Sequence, residues 1–183
     1  MLNLVKKIVE LKVEDCIVKT LQVQDVYDGY ISGLNDPEVN QYLAGVARVI
    51  QTDSSVSTFV LRSFEASHEM FFGIWKEGDE KHCGTIRLHG IDPYHRTAHI
   101  GVCLFDKRAW GRGLATKSIR TVTDWGLNRL GLRWLEAGVY EENSASSKLF
   151  ERSGYEKKYT ISGKYLLKGK PSNVIVYAAC SEL

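Results

Sequence analysis

The sequence predicts an α/β domain built around a mixed, mostly antiparallel sheet. Apolar runs of strand length alternate with segments of helical periodicity, and the second half of the chain follows the order strand, loop, helix, strand, helix. Two close apolar runs, 70–75 and 83–88, flank a charged turn with glycine and aspartate, which is typical of an antiparallel hairpin. No repeat, low-complexity tract or linker breaks the chain, so residues 1–183 are expected to form a single domain.

The first part of the chain is predicted to contain two strands and three helices. In order, these are two strand-like runs between Leu2 and Leu21, a helix over 21–34, a short helix over 39–43 and a helix over 54–64. Pro37 ends the first helix, because proline disfavours a helical residue before itself. Asp53 or Ser54 is expected to cap the third helix.

The rest of the chain is predicted to supply most of the sheet and two further helices. The strands are expected at 70–75, 83–88, 100–105, 134–139, 157–167 and 174–179, and the helices at 115–130 and 143–150. Residues 90–96 are expected to form a loop. Gly131 and Gly154 end the two helices, since glycine readily takes the left-handed conformation of a helix terminus.

Composition excludes several classes of protein. A net charge of +2, with no block of basic residues, argues against nucleic-acid or membrane partners. The four cysteines, Cys16, Cys83, Cys103 and Cys180, are far apart and lack metal-type spacing, so no metal site is expected. No run approaches the ~18 apolar residues of a membrane span, and Lys6 and Lys7 interrupt the start. A cytoplasmic protein with reduced cysteines is expected.

The turn Arg108–Thr116, between an apolar strand and an amphipathic helix, indicates an anion site. Its glycines let the backbone approach a ligand closely, while the unpaired N–H groups and the dipole of the following helix favour negative charge. It matches neither the dinucleotide glycine fingerprint nor the phosphate loop that ends in Gly-Lys-Ser/Thr. An ordinary strand–helix turn is the alternative interpretation of this stretch alone.

Two motifs give the chain a resemblance to a known superfamily. Arg108 to Gly113 reads R-x-x-G-x-G and is similar to the pyrophosphate loop of the GNAT acetyl-CoA-dependent acetyltransferases. Downstream, a strand at 134–139 precedes Asn143-Ser144-Ala145-Ser146 and then Phe150 to Tyr155, which resembles the second GNAT signature. The stretch Asn35–Val39 followed by Tyr42-Leu43 resembles the branch of ribosomal-protein N-terminal acetyltransferases. The resemblance implies a GNAT fold, in which helices flank the sheet and two splayed strands hold acetyl-CoA.

The resemblance also implies which residues hold the coenzyme. The pyrophosphate is expected at Arg108, Gly111, Arg112, Gly113, Leu114, Ala115 and Thr116, and the pantetheine arm at Val102, Cys103, Leu104 and Asn143. Phe150 lies where many relatives carry a tyrosine that protonates sulfur, and phenylalanine donates no proton. Asn143 is equally suited to cap the helix that follows it.

Three residues are candidates for the catalytic steps. His99 lies where many relatives carry a carboxylate base, and histidine, which ordinarily titrates near about pH 6.5, suits that role; a half-buried structural histidine is the alternative. Glu136 on the next strand is the second candidate base, ahead of His89 and His95, which are expected in or near a loop. Ser146 matches a serine near the thiol in the ribosomal-protein branch, or is a first-turn serine that bonds to backbone.

The sequence is therefore expected to encode an acetyl-CoA-dependent N-acetyltransferase that acts by direct transfer in a ternary complex. The buried strand position of Cys103 argues against an acetylated cysteine. A protein N-terminus is the first acceptor considered, and an amino group of a nucleotide-linked sugar or another small amine is the alternative. A non-catalytic acyl-CoA sensor is the rival from a different class. Members of this family often pair through their C-terminal strands or sheet edge, so a homodimer is a further expectation.

Overall fold

The computed structural model describes residues 8–181, and within them eight strands form one sheet. The strands are β1 (Glu10–Val13), β2 (Cys16–Thr20), β3 (Met70–Lys76), β4 (Gly84–Asp92), β5 (Thr97–Leu104), β6 (Trp134–Tyr140), β7 (Glu156–Leu167) and β8 (Lys170–Cys180). They lie in the order β1-β2-β3-β4-β5-β6-β8-β7. Any part of the first predicted strand that falls in 1–7 lies outside the described residues.

The strand pairing confirms the predicted mixed, mostly antiparallel sheet. All neighbours among the described strands pair antiparallel except β5 and β6, which are parallel. That parallel pairing is short, because its register ends at His99 opposite Glu136. Beyond this point β5 and β6 diverge, although β5 continues to Leu104 and β6 to Tyr140.

Helices cover both faces of this sheet. Within the described residues they are α1 (Asp28–Asn35), α2 (Pro37–Asn40), α3 (Asp53–Glu65), α4 (Leu114–Asn128) and α5 (Ser144–Arg152). Ile119 of α4 and Phe150 of α5 belong to the larger buried cluster, on what we call the back face. Tyr30 of α1 and Val60 of α3 belong to a second cluster, on the front face.

Strand β3 shows why both faces are buried. Phe72 and Ile74 belong to the back-face cluster, whereas Phe71 and Trp75 belong to the front-face cluster. Successive side chains of a strand point to opposite faces, so a continuous apolar run places apolar groups on both. The same alternation puts Ile100 of β5 on the back face and its neighbour His99 on the front face.

The predicted helix over 21–34 was wrong in its first half. Val23–Asp25 forms one turn of 3-10 helix, Val26 is extended, and α1 begins only at Asp28. The Asp25 carboxylate accepts a hydrogen bond from the Gln22 N–H at 2.8 Å, and the Tyr27 hydroxyl donates to the carbonyl of His82 at 2.7 Å. These contacts fix a non-helical path that the apolar spacing does not encode.

The other differences concern helix ends and a loop. Helix α2 ends at Asn40, so Tyr42 lies beyond it, and its hydroxyl donates to the carbonyl of Glu142 at 3.2 Å. The cap of α3 is Thr52, whose side chain accepts from the Ser55 N–H at 3.2 Å, rather than Asp53 or Ser54. Strand β4 extends to Asp92 into the predicted loop, which places His89 in the sheet.

Candidate functional site

The divergence of β5 from β6 opens a cleft of about 650 Å³. Residues 100–104 of β5 line one side, Gly138, Val139 and Tyr140 of β6 line the other, and the turn before α4 closes one end. Along the edge of β5 that faces away from β4, the backbone N–H and C=O groups beyond His99 no longer pair with β6. The cleft therefore offers main-chain hydrogen bonds to an elongated ligand, at the predicted positions Val102, Cys103 and Leu104.

The turn before α4 presents backbone N–H groups to this cleft. Gly111 and Gly113 both have left-handed φ values, 71° and 76°, and Gly113 is the N-cap of α4. The first backbone bond of the helix runs from the Lys117 N–H to the Gly113 carbonyl, so the N–H groups of the first turn remain available. Gly111, Gly113, Leu114, Ala115 and Thr116 all line the cleft, as an anion site requires.

The two predicted arginines lie outside the lining of the cleft. The guanidinium of Arg108 donates two hydrogen bonds to the Asp106 carboxylate, at 3.0 and 3.1 Å, which lowers the pKa of Asp106. Arg112 is exposed. The basic side chains that do line the cleft are Lys148 and Arg152 of α5, which sequence reasoning missed. Their spacing of four residues puts them on one helix face, and this spacing was the sequence signal for them.

Helix α5 brings three further predicted residues to the cleft. Asn143, Ser146 and Phe150 line it, and the Asn143 side chain accepts from the Ser146 N–H at 3.1 Å as the cap of α5. Phe150 is 3% exposed and its ring packs edge-on against Tyr155, with ring centres 5.2 Å apart. Its packing makes it a wall of the cleft.

The candidate bases lie together on the front face, where β5 and β6 part. Nδ1 of His99 lies 3.6 Å from Oε1 of Glu136, and the His99 side chain is 51% exposed. Trp134 donates its indole N–H to the other oxygen of Glu136 at 3.3 Å. His89 stacks on His99 from β4, with ring centres 5.3 Å apart, and burial lowers the pKa of His89 to about 4. His95 remains in the turn after β4, as expected.

Two glycines connect the cleft with this front face. Gly101 and Gly138 lie two residues beyond the last β5–β6 pair, so both belong to the same face as His99 and Glu136. Both also line the cleft. A Cβ atom added at Gly101 would meet no heavy atom within 4 Å. We call this pair the glycine opening, since neither residue places a side chain between the cleft and the front face.

Cys103 lies beside the glycine opening, but its environment does not favour a nucleophilic thiolate. It packs against the front-face cluster, and burial raises the pKa of its thiol to about 12. At neutral pH the thiol is protonated, and the thiolate is the reactive form.

Comparison with known proteins identifies the family. The model of the GNAT acetyltransferase domain matches residues 17–156, which span β2 to the start of β7 and contain the whole cleft. The chain belongs to the GNAT acetyltransferases. The resemblance noted from the two sequence motifs is thereby confirmed, and so is the predicted activity class.

Relatives of this GNAT acetyltransferase extend over nearly its whole length. The uncharacterised N-acetyltransferase YoaA of Bacillus subtilis is 27% identical over 170 residues, which are 92% of this chain and 94% of the relative. Two solved structures share the fold. The RimL ribosomal-protein acetyltransferase, in complex with coenzyme A, has a TM-score of 0.85 at 16% identity and covers 94% of this chain and 98% of its own. Spermidine N-acetyltransferase of Vibrio cholerae, in complex with coenzyme A and spermine, has a TM-score of 0.81 at 16% identity. The match covers 91% of this chain and 95% of the spermidine enzyme.

Residues 8–181 contain neither a candidate metal centre nor a helix suited to span a membrane. No group of three or more His, Cys, Asp or Glu side chains in this GNAT domain is arranged to hold a metal ion. None of its helices in that range combines the length and apolar character needed to cross a membrane.

Proposed function

We propose that this GNAT acetyltransferase transfers an acetyl group from acetyl-CoA directly to the primary amine at a protein N-terminus. The glycine opening is the observation that carries this proposal. The coenzyme cleft lies on one side of it, and the exposed front face with the candidate bases His99 and Glu136 lies on the other. A thioester and an amine can therefore meet there within a ternary complex.

The coenzyme is expected to bind along the cleft with its pyrophosphate at the N-terminus of α4. The N–H groups of Gly113, Leu114 and Ala115 donate to the phosphates, and the helix dipole favours their charge. Lys148 and Arg152 supply positive charge from α5. We expect Arg108 and Arg112 to contribute only if their side chains rotate toward the bound phosphates, with Arg108 leaving Asp106.

His99 is proposed as the general base. An amine is protonated at neutral pH and attacks only after losing that proton. His99 is exposed enough to accept the proton from an incoming ammonium, and Glu136 at 3.6 Å stabilises the imidazolium that forms. His89 stays neutral because its pKa is lowered to about 4, so it adds no competing positive charge beside His99.

The departing thiolate is proposed to meet Ser146. Its backbone N–H is held by the Asn143 cap, which places the residue in the first turn of α5 within the cleft. Phe150 donates no proton, so the Ser146 hydroxyl is the candidate hydrogen-bond donor there. A route through an acetylated Cys103 is disfavoured, since burial raises the pKa of that thiol to about 12.

The shape of the front face supports a protein N-terminus as acceptor. Gly138 is exposed and His99 is 51% exposed, so an amine at the end of an extended peptide reaches the opening without a closed pocket around it. The fold shared with the RimL ribosomal-protein acetyltransferase agrees with this choice. A polyamine is the second candidate, favoured by the shared fold of the spermidine enzyme and by the carboxylate of Glu136 beside the opening.

An acceptor screen tests the proposal. Release of coenzyme A thiol is measured with N-terminal peptides, polyamines and amino sugars at equal concentration and saturating acetyl-CoA. We expect the highest kcat/KM with a peptide, and acetylation at its α-amine by mass spectrometry. Higher kcat/KM with spermidine or an amino sugar would replace the proposed acceptor. Tight acetyl-CoA binding without turnover of any amine would show a sensor instead.

A further inference from the structure

Strand β7 places a tyrosine hydroxyl at the glycine opening. A Cβ atom built on Gly138 would lie 3.8 Å from the Tyr165 hydroxyl oxygen. Gly138 faces the front side together with Glu136, so the hydroxyl lies over the opening on the acceptor side. No sequence motif pointed to Tyr165, which is 27 positions further along the chain.

An irregularity in β7 directs Tyr165 toward this position. Ile161 pairs with Val174 and Tyr165 pairs with Ser172, so residues 162–164 of β7 face Asn173 alone. Gly163 takes a left-handed φ of 58° in this bulge, and its N–H donates to the Asn173 side chain at 3.0 Å. Bulges change the direction of nearby side chains and occur often beside active sites. The bulge is fixed by a specific hydrogen bond, so the orientation of Tyr165 is built into the sheet.

The ring of Tyr165 is held while its hydroxyl remains available. The ring packs against Tyr140 with centres 5.3 Å apart, and Tyr140 packs against Tyr42 at 5.7 Å. Tyr140 is only 7% exposed, so it forms a rigid support, whereas Tyr165 is 38% exposed. Within residues 8–181 the Tyr165 hydroxyl forms no hydrogen bond to the protein. A fixed polar group without a protein partner, beside the opening, is suited to contact a ligand.

We propose that the Tyr165 hydroxyl oxygen accepts a hydrogen bond from the acceptor amine and fixes its nitrogen over the glycine opening. This role rests on the proposed amine acetylation. One proton of the ammonium passes to His99, a second N–H donates to Tyr165, and the freed lone pair points at the thioester carbonyl. The N–C bond forms as the C–S bond breaks, and the nitrogen gives its remaining surplus proton to the departing thiolate, which leaves a neutral amide and the free coenzyme thiol. Tyr165 itself gains and loses no proton. Tyr165 is thus a catalytic residue supplied by the C-terminal hairpin.

The substitution Tyr165→Phe tests this role, because it keeps the ring and its packing on Tyr140. Loss of a hydrogen bond to a charged amine should lower kcat/KM for the acceptor by about tenfold to a hundredfold. The KM for acetyl-CoA and the melting temperature should stay unchanged, since Tyr165 is not among the residues that line the cleft and phenylalanine keeps the ring packing on Tyr140. The matched control is Tyr159→Phe, the same change at a half-exposed position of the same strand, which should match the wild-type protein in every measurement.

Three results would overturn the inference. Equal acceptor kcat/KM in Tyr165→Phe and in the wild-type protein would show that the hydroxyl contacts no reacting group. A loss shared with Tyr159→Phe, or accompanied by a lower melting temperature, would assign Tyr165 to packing of the hairpin. Absence of wild-type turnover with every amine would instead refute the proposed function, and the role of Tyr165 would fall with it.

Discussion

Replacing Gly101 with valine should separate the chemistry of this protein from its stability. Gly101 lies in the middle of β5 without a left-handed φ, and an added Cβ meets no heavy atom within 4 Å. The fold therefore has room for a side chain there. Glycine costs conformational entropy in a strand and valine favours strands, so unfolding free energy should be unchanged or raised by up to about 1 kcal/mol.

The same substitution should strongly reduce turnover. The branched side chain would project from the front face into the glycine opening and displace the amine from the thioester. A displacement of about 1 Å at a reacting centre is worth about a hundredfold in rate, so kcat should fall by ~10²-fold. Acetyl-CoA affinity should change little, because the main-chain groups of β5 and the N-terminus of α4 remain in place.

Thiol release at saturating acetyl-CoA, calorimetry with acetyl-CoA and thermal melting on one preparation measure these three effects. The control is Gly126→Ala in α4, where the new Cβ lies 3.3 Å from a methyl group of Leu135 in the core. Its effect should be confined to stability, with turnover per folded molecule intact. A Gly101→Val protein with wild-type kcat would refute the proposal that the acceptor amine reaches the thioester through the glycine opening.

Three other changes test separate parts of the molecule. His99→Ala should lower turnover ~10²-fold or more at neutral pH, and His99→Glu should restore part of the lost turnover; a lower melting temperature with intact turnover would indicate a structural histidine. Gly111→Asp should abolish acetyl-CoA binding in calorimetry by adding negative charge at the phosphates, whereas Gly131→Asp, with a similar φ of 76° at the end of α4, should bind normally. His82 is buried among aromatic rings, and burial lowers its pKa to about 3, so the unfolded chain takes up the proton first and stability falls as pH drops from about 6.5 toward 3. Between pH 7 and pH 4.5 the wild-type protein should lose about 2–3 kcal/mol of unfolding free energy through His82, and His82→Phe should not show this loss. Denaturant titrations with the same pH dependence in both proteins would contradict this.

Local sequence was sufficient to predict the strand, the turn and the helix that border the cleft. The strand at 100–104, the turn with Gly111 and Gly113, and the helix from Leu114 are each specified by neighbouring residues. Turn glycines and apolar periodicity act over a few positions, so the sequence alone predicted these elements and their order along the chain.

The first helix was mispredicted for the opposite reason. Its apolar spacing suggested a continuous helix, but Tyr27 bonds to the carbonyl of His82, 55 positions away. Long-range contacts of this kind override weak local propensity. The same explanation applies to His89, which sequence placed near a loop and which β4 pairs with His99.

The sequence by itself determined the fold class, the family and the conformation of the turn before α4, because these depend on local conformation and on motifs within short stretches. Only the tertiary structure decided which distant groups lie near each other: His99 beside Glu136, and the Tyr165 hydroxyl beside Gly138. These proximities depend on strand order, on the point where β5 and β6 part, and on a bulge in β7. Register and divergence are set by packing of the whole sheet, so no single segment of the chain encodes them.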